Sequence, residues 1–126
     1  MILYITLGTN DLKRARPFYD AVMATLGASV KHQGATEVGY GPAAGDACTL
    51  YVTQPFNEKP ATVGNGSMPA FNAPSRIAVD AFYRAALNSG GTDEGAPGLR
   101  YSPNFYSCYV RDPDGNKLSA VCDRAE

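Results

Sequence analysis

Hydrophobic positions change period twice in the first third of the chain. Ile2-Leu3-Tyr4-Ile5-Thr6-Leu7 is rich in β-formers and stops at Gly8, which predicts a strand. From Leu12 the spacing becomes three and four. Leu12, Ala15, Phe18, Tyr19, Val22, Met23 and Leu26 make one apolar helix face, with Asn10-Asp11 as N-cap oxygens and Gly27 as C-cap. Pro17 lacks an N–H and its ring opposes a continuing helix. The ordered helix is therefore expected to begin close to Pro17, with 11–16 as a lead-in turn or a first kinked segment. Three short β-rich stretches follow, Ser29–Gln33, Thr36–Tyr40 and Cys48–Thr53, punctuated by Gly34, Gly41-Pro42 and Gly45-Asp46. Pro55 to Gly66 has no period and reads as a polar linker over the surface.

The same order then recurs. Met68–Ala73 reads as a strand, and Ser75 caps a helix from about Arg76 to Asn88, closed by Gly90-Gly91. A long loop through Gly95-Ala96-Pro97-Gly98 leads to a strand over Tyr106–Arg111. Asp114-Gly115 turns that strand tightly into Lys117–Cys122. A shift of 64 residues lays Phe18-Tyr19 on Phe82-Tyr83, Met23 on Leu87 and Gly27 on Gly91. Any two amphipathic helices share some residues. A Phe-Tyr pair, a closing glycine and a preceding strand at one offset argue instead for a duplicated βαβββ unit.

With 126 residues, the chain suits one domain with a real core. A hydrophobic content of 44% excludes a disordered tail. The net charge of −1 leaves no basic surplus for phosphate backbones, so nucleic acid is not an expected partner. No apolar run approaches the roughly 18–20 residues of a membrane span. The N-terminus lacks the basic flank of a signal peptide. Cys48, Cys108 and Cys122 are odd in number and without a CxxC, which fits reduced thiols and a cytoplasmic location. Cys108 and Cys122 read as small buried hydrophobes rather than nucleophiles.

Two segments carry a resemblance: Thr6-Leu7-Gly8-Thr9-Asn10-Asp11-Leu12-Lys13-Arg14-Ala15-Arg16-Pro17-Phe18-Tyr19, and Tyr109-Val110-Arg111-Asp112-Pro113-Asp114-Gly115-Asn116-Lys117-Leu118. The first resembles the strand–turn–helix opening of the vicinal oxygen chelate superfamily, which includes glyoxalase I, extradiol dioxygenases and bleomycin resistance proteins. The second is similar to that superfamily's penultimate hairpin, with its Asp-Pro-Asp-Gly turn. The resemblance implies an α+β fold of two βαβββ modules, with mixed sheets curled around a central cavity and helices on the convex side. The whole chain would be one such domain, with module one over about 1–54, the linker over about 55–66 and module two over about 67–126.

In glyoxalase-like members four His, Glu or Gln side chains meet on a divalent metal, one from the first and one from the fourth strand of each module. Carried over by motif, those positions fall on Tyr4, Met68 and Ser119, and near Leu50 in Cys48-Thr49-Leu50-Tyr51. Phenol, thioether, hydroxyl and alkyl groups do not make an oxygen/nitrogen site for such an ion. The resemblance is therefore read without a metal or other cofactor. Strand parity aims Tyr4, Thr6, Met68, Ala70, Asn72, Lys117 and Ser119 into the cavity. These side chains either bind a ligand or plug the former metal site as core. Arg100-Tyr101-Ser102-Pro103-Asn104-Phe105-Tyr106 is a loop that could close over the mouth, with Arg100 gripping an anion, or pack its aromatics underneath or against a second subunit. His32, the only imidazole, is a surface or edge-strand residue unless it serves as a general base.

The expected ligand-contacting set is thus Tyr4, Thr6, Leu50, Met68, Asn72, Arg100, Tyr101, Tyr106 and Ser119. Catalytic residues are not assignable. The expected function is metal-independent binding of a small organic molecule, in the manner of bleomycin resistance proteins. The alternatives are a glyoxalase- or dioxygenase-type lyase, isomerase or oxidoreductase with an atypical site, and an interaction protein with a filled cavity. A homodimer is expected, because open half-barrels leave sheet edges to cover.

Overall fold

Asp11 and Ser75 place the two helices. Each has extended backbone and accepts, through its side chain, the N–H three residues on, from Arg14 and Ala78, at 3.1 Å in both cases. They cap α1 (Leu12–Ala24) and α2 (Arg76–Asn88) in the computed structural model, which describes Met1–Glu126. α1 runs unbroken through Pro17, contrary to the expected start beside it. An interior proline costs about 3 kcal/mol. Full burial of a side chain such as Phe18 contributes roughly 1.5–3 kcal/mol, and Ala15, Phe18 and Tyr19 are all fully buried around the proline. Packing outweighs the lost backbone bond.

Eight strands complete the chain: β1 (Ile5–Gly8), β2 (Ala28–Gln33), β3 (Glu37–Pro42), β4 (Leu50–Thr53), β5 (Ala70–Asn72), β6 (Thr92–Leu99), β7 (Phe105–Arg111) and β8 (Lys117–Asp123). They form two four-stranded sheets of matching order, β1-β4-β3-β2 and β5-β8-β7-β6. In each sheet the first strand runs parallel to its neighbour and the other pairs are antiparallel. The chain is an α+β protein of two βαβββ modules, and neither sheet closes on itself.

Most strand boundaries differ from the sequence reading by one to three residues, and three differences bear on the open faces. β1 begins at Ile5 and not Ile2, because β4 offers only four residues and Ile5 pairs with its first, Leu50. β5 begins at Ala70 and not Met68. Pro69 has no N–H to give, and its carbonyl accepts from Ser119 N at 3.0 Å. Residues 92–99, expected as a loop, form β6. It pairs with β7 through two register shifts that accommodate the Gly95-Ala96-Pro97-Gly98 stretch.

Alternation along the strands puts one face of each sheet against a helix. Val38, Tyr40, Leu50 and Val52 bury toward α1, and Cys108, Val110, Leu118, Ala120 and Cys122 bury toward α2. The opposite faces carry no helix. The modules are joined at the other end of the sheets by the two segments that carried the resemblance. Asp112, 3% exposed, accepts from the Tyr19 hydroxyl at 2.5 Å and from the backbone of Asp114 and Asn116. Asp114 accepts from the Thr9 hydroxyl at 2.6 Å, Asn10 N at 2.9 Å and the Arg14 guanidinium at 2.7 Å. Gly115, at φ +92, supplies the left-handed residue this turn needs. No helix is long and apolar enough to cross a membrane.

Candidate functional site

The helix-free face of module one is organised by register. His32 pairs with Gly39, Gly39 with Tyr51 and Tyr51 with Thr6, so four strands bring these residues into one row. Gly39 is the hinge of the arrangement. A Cβ there would stand 2.8 Å from Cys48 Sγ and 3.0 Å from the Tyr51 ring, so its absence lets both lie across the sheet. The Tyr4 ring meets Tyr51 edge-on at 5.2 Å between centroids, and His32 lies 6.3 Å from Tyr51 on the other side. His32 Nε2 is 2.9 Å from Glu37 Oε1. Leu50, expected among the contact residues, is 1% exposed and belongs to the core beneath α1. The β4 side chain on the Tyr4 face is Tyr51. The one-residue error moves a side chain to the opposite face because strand side chains alternate.

Module two presents the related row. Ser119 lies between Ala70 and Tyr109. The Arg100 guanidinium carbon is 5.0 Å, and Lys117 Nζ 5.6 Å, from the centre of the Tyr109 ring. Arg100 does not reach outward. It donates to the carbonyls of Gly98 at 3.3 Å and Ala96 at 2.6 Å, and to that of Ser107. Tyr101 is 89% exposed and meets Phe105 edge-on at 5.3 Å. Tyr106, expected in the lid, faces the other way. It pairs with Cys122 in the register, and its hydroxyl donates to Asp80 of α2 at 2.7 Å. Asn72 is exposed at the edge strand β5. Ser119 is fully buried, and its hydroxyl has no hydrogen-bond partner.

The linker shapes the clefts on this side. Asn10 pins it, accepting from Ala61 N at 2.6 Å and donating to Ala61 O at 3.1 Å. Held there, residues 54–62 border an open cleft of about 730 Å³ against Thr6, Glu37 and Thr53. A second cleft of about 450 Å³ is lined by Met68, Glu94, Arg100, Tyr101, Phe105, Tyr109 and Lys117. Tyr4 thus belongs to the first face, whereas Met68 and Ser119 belong to the second. A smaller cleft of about 160 Å³ shares Thr6 with the first cleft and Lys117 with the second. Tyr51, Tyr109 and Glu37 were not singled out from sequence. The only available signal was their parity with Gly39, Lys117 and Ser119.

Carried over by the resemblance, the superfamily ligand positions fall on Tyr4, Met68 and Ser119, and the β4 residue beside Leu50 that shares the Tyr4 face is Tyr51. Hydrogen bonding with Cys48, then partial burial, pushes the Tyr51 phenol above its ordinary range, further from the ionised form a metal would need. Nowhere in the chain do three His, Cys, Asp or Glu side chains gather so as to hold an ion. The donor set does not fit the divalent metal of glyoxalase-like members.

Two βαβββ modules, each with a helix on one face and a polar, aromatic open face on the other, define a paired-module α+β protein. The family model of the Glyoxalase/Bleomycin resistance protein/Dioxygenase superfamily matches residues 1–119, and the chain belongs to that superfamily. A glyoxalase/bleomycin resistance protein from Albidiferax ferrireducens T118 is 40% identical, with a TM-score of 0.87 over 97% of this chain and 98% of that one. Lactoylglutathione lyase from Agrobacterium tumefaciens shares the fold at 23% identity and a TM-score of 0.63, over 96% and 92% of the two chains. Glyoxalase I from Zea mays does so at 22% and 0.68, covering 96% of this chain and 45% of its own. No curated protein matches the chain significantly.

Proposed function

We propose that this chain binds a small, partly apolar organic molecule on its helix-free side, without a metal at the superfamily positions. What supports the reading is that the ligand positions implied by the resemblance fall on Tyr4, Met68, Ser119 and, on β4, Leu50 or its neighbour Tyr51, none of them a His, Glu or Gln. Aromatic walls with a few polar groups are how small-molecule sites are commonly built. Tyr4, Thr6 and Tyr51 supply hydroxyls on one face, and Met68 with Tyr109 a softer wall on the other.

Elemental analysis of the purified, dialysed chain tests the first half of the proposal. Ni, Zn, Fe and Mn are each expected far below one ion per chain, and about one ion per chain would overturn it. A thermal-shift screen of small aromatic acids, alcohols and amides tests the second. A ligand at about 100 times its Kd adds roughly 2.7 kcal/mol to stability. No stabilisation by any member would refute binding.

One observation favours a second reading, a metal-free enzyme of the glyoxalase type. A carboxylate bonded to Nε2 of His32 leaves Nδ1 as the basic nitrogen, on a ring whose centre is 6.3 Å from that of Tyr51. Isomerisation of the methylglyoxal–glutathione adduct is expected at background under the binding reading. Turnover lost in His32→Gln would favour the enzyme instead.

A further inference from the structure

We propose that the molecule bound on the helix-free side is a compact organic monocarboxylate, with its charge held by Lys117. This rests on the small-molecule reading above and narrows it to one chemical class. Lys117 opens β8, is half-buried, and makes no hydrogen bond or ion pair with any protein acceptor. Its ammonium stands 5.6 Å from the Tyr109 ring centre, on the same ring that Arg100 approaches at 5.0 Å. Lys117 lines three adjoining clefts, of about 160, 540 and 450 Å³.

The neighbouring charges leave Lys117 as the group to be met. Arg100 brings a second positive charge, and its two terminal nitrogens are turned to the carbonyls of Gly98, Ser107 and Ala96. Arg111 donates to Glu94 at 2.9 Å and to the Gly115 carbonyl at 3.0 Å, which occupies the one carboxylate that lines the 450 Å³ cleft. The region therefore holds two cations without a carboxylate partner, and Lys117 is the one that meets no protein acceptor. An ammonium of that kind complements a single negative charge through a charge-assisted hydrogen bond. A cationic ligand is opposed by both charges.

The surroundings fit the rest of such a molecule. Met68, Tyr101 and Phe105 line the same cleft and supply apolar contact for a short aliphatic or aromatic body. Two residues along β8 on the same face, Ser119 keeps a buried hydroxyl without a partner, next to Tyr109 in the register. Buried polar groups are nearly always paired. A retained orphan on the Lys117 row marks that strand as part of a polar site rather than a plug of core.

Titrating the full chain with benzoate, benzyl alcohol and inorganic phosphate, followed by amide NMR shifts, tests the assignment. Benzoate is expected to bind at least tenfold more tightly than benzyl alcohol, about 1.4 kcal/mol. Its shifts should centre on Met68, Tyr109 and Lys117. Lys117→Met should remove the preference and Lys117→Arg should keep it, with both variants checked for an unchanged thermal midpoint. Equal binding of the acid and the alcohol, or a preference that survives Lys117→Met, overturns the carboxylate while leaving small-molecule binding intact. Phosphate binding as tightly as benzoate overturns it too. If none of the three binds at millimolar concentration, the inference falls, and the wider screen decides separately whether the binding reading falls with it.

Discussion

Cys108 shows what burial does to a titratable group here. Fully enclosed under α2, its thiol is pushed by desolvation from an ordinary 9.0 up to about 11. Burial, reinforced by Asp112, raises the Tyr19 phenol well above its usual range, and burial with Asp20 does the same to Tyr40. In each case the folded chain holds the proton more tightly than the unfolded chain. The associated stability is complete below pH 9 and is lost as pH rises through about 11, with Cys108 the first to contribute. The urea midpoint should fall between pH about 8 and about 10.5, and Cys108→Ala should fall less over that interval. A wild-type midpoint that is flat across it would contradict the burial argument. Cys108 and Cys122 are buried, and neither neighbours the His32–Glu37 pair in the register, so neither thiol enters the proposed chemistry.

At the level of elements, the sheet of module one depends on one missing side chain. Gly39→Ala would drive a methyl against Cys48 Sγ and the Tyr51 ring at 2.8 and 3.0 Å. Overpacking of this kind typically destabilises by about 1–3 kcal/mol. The expected result is a lower urea midpoint together with a displaced Tyr51 ring, read from the NMR shifts of Tyr4. An unchanged midpoint and unchanged Tyr4 shifts would show that the ring has room to move. Which elements were legible in the sequence follows the same physics. α2 was read to the residue because Ser75 caps it and glycines close it, and the Asp114-Gly115 hairpin because its turn chemistry is local. The α1 start was misread because burial of Phe18 and Tyr19 overrides Pro17, and that burial is a tertiary fact. β6 was hidden by Gly95-Ala96-Pro97-Gly98, whose pairing depends on β7. Leu50 and Tyr106 were assigned to the wrong face because neither strand has an anchor that fixes the phase of its alternation. Tyr4, whose ring meets Tyr51 edge-on, has a phase anchored by the Leu7-Gly8 step and by its repeat partner Met68. The linker looked unstructured because the residue that pins it, Asn10, lies 51 positions away.

For the molecule as a whole, the remaining exposed apolar surface calls for cover. Ile2 and Leu3 are 75% and 80% exposed, directly before β1, and β1 and β5 are both edge strands. Unpaired edges flanked by apolar side chains are where chains associate. A two-fold dimer is the expected state, since it is the commonest closed symmetry and would cover both copies alike. Light scattering at micromolar concentration should return twice the 13.3 kDa chain mass, and a monomer mass would refute it. Ile2→Lys with Leu3→Lys should shift the mass toward the monomer.

The contact between Tyr19 and Asp112 spans 93 positions. During synthesis, the first module emerges with every strand it needs but without the carboxylates that receive Tyr19, Thr9 and Arg14. Those acceptors leave the ribosome almost last, on the turn between β7 and β8. The early half therefore waits, with three donors unmet, for the late half to finish it. A chain truncated before Asp112 lacks β8 as well as these acceptors, so the loss in the second module reaches into the first.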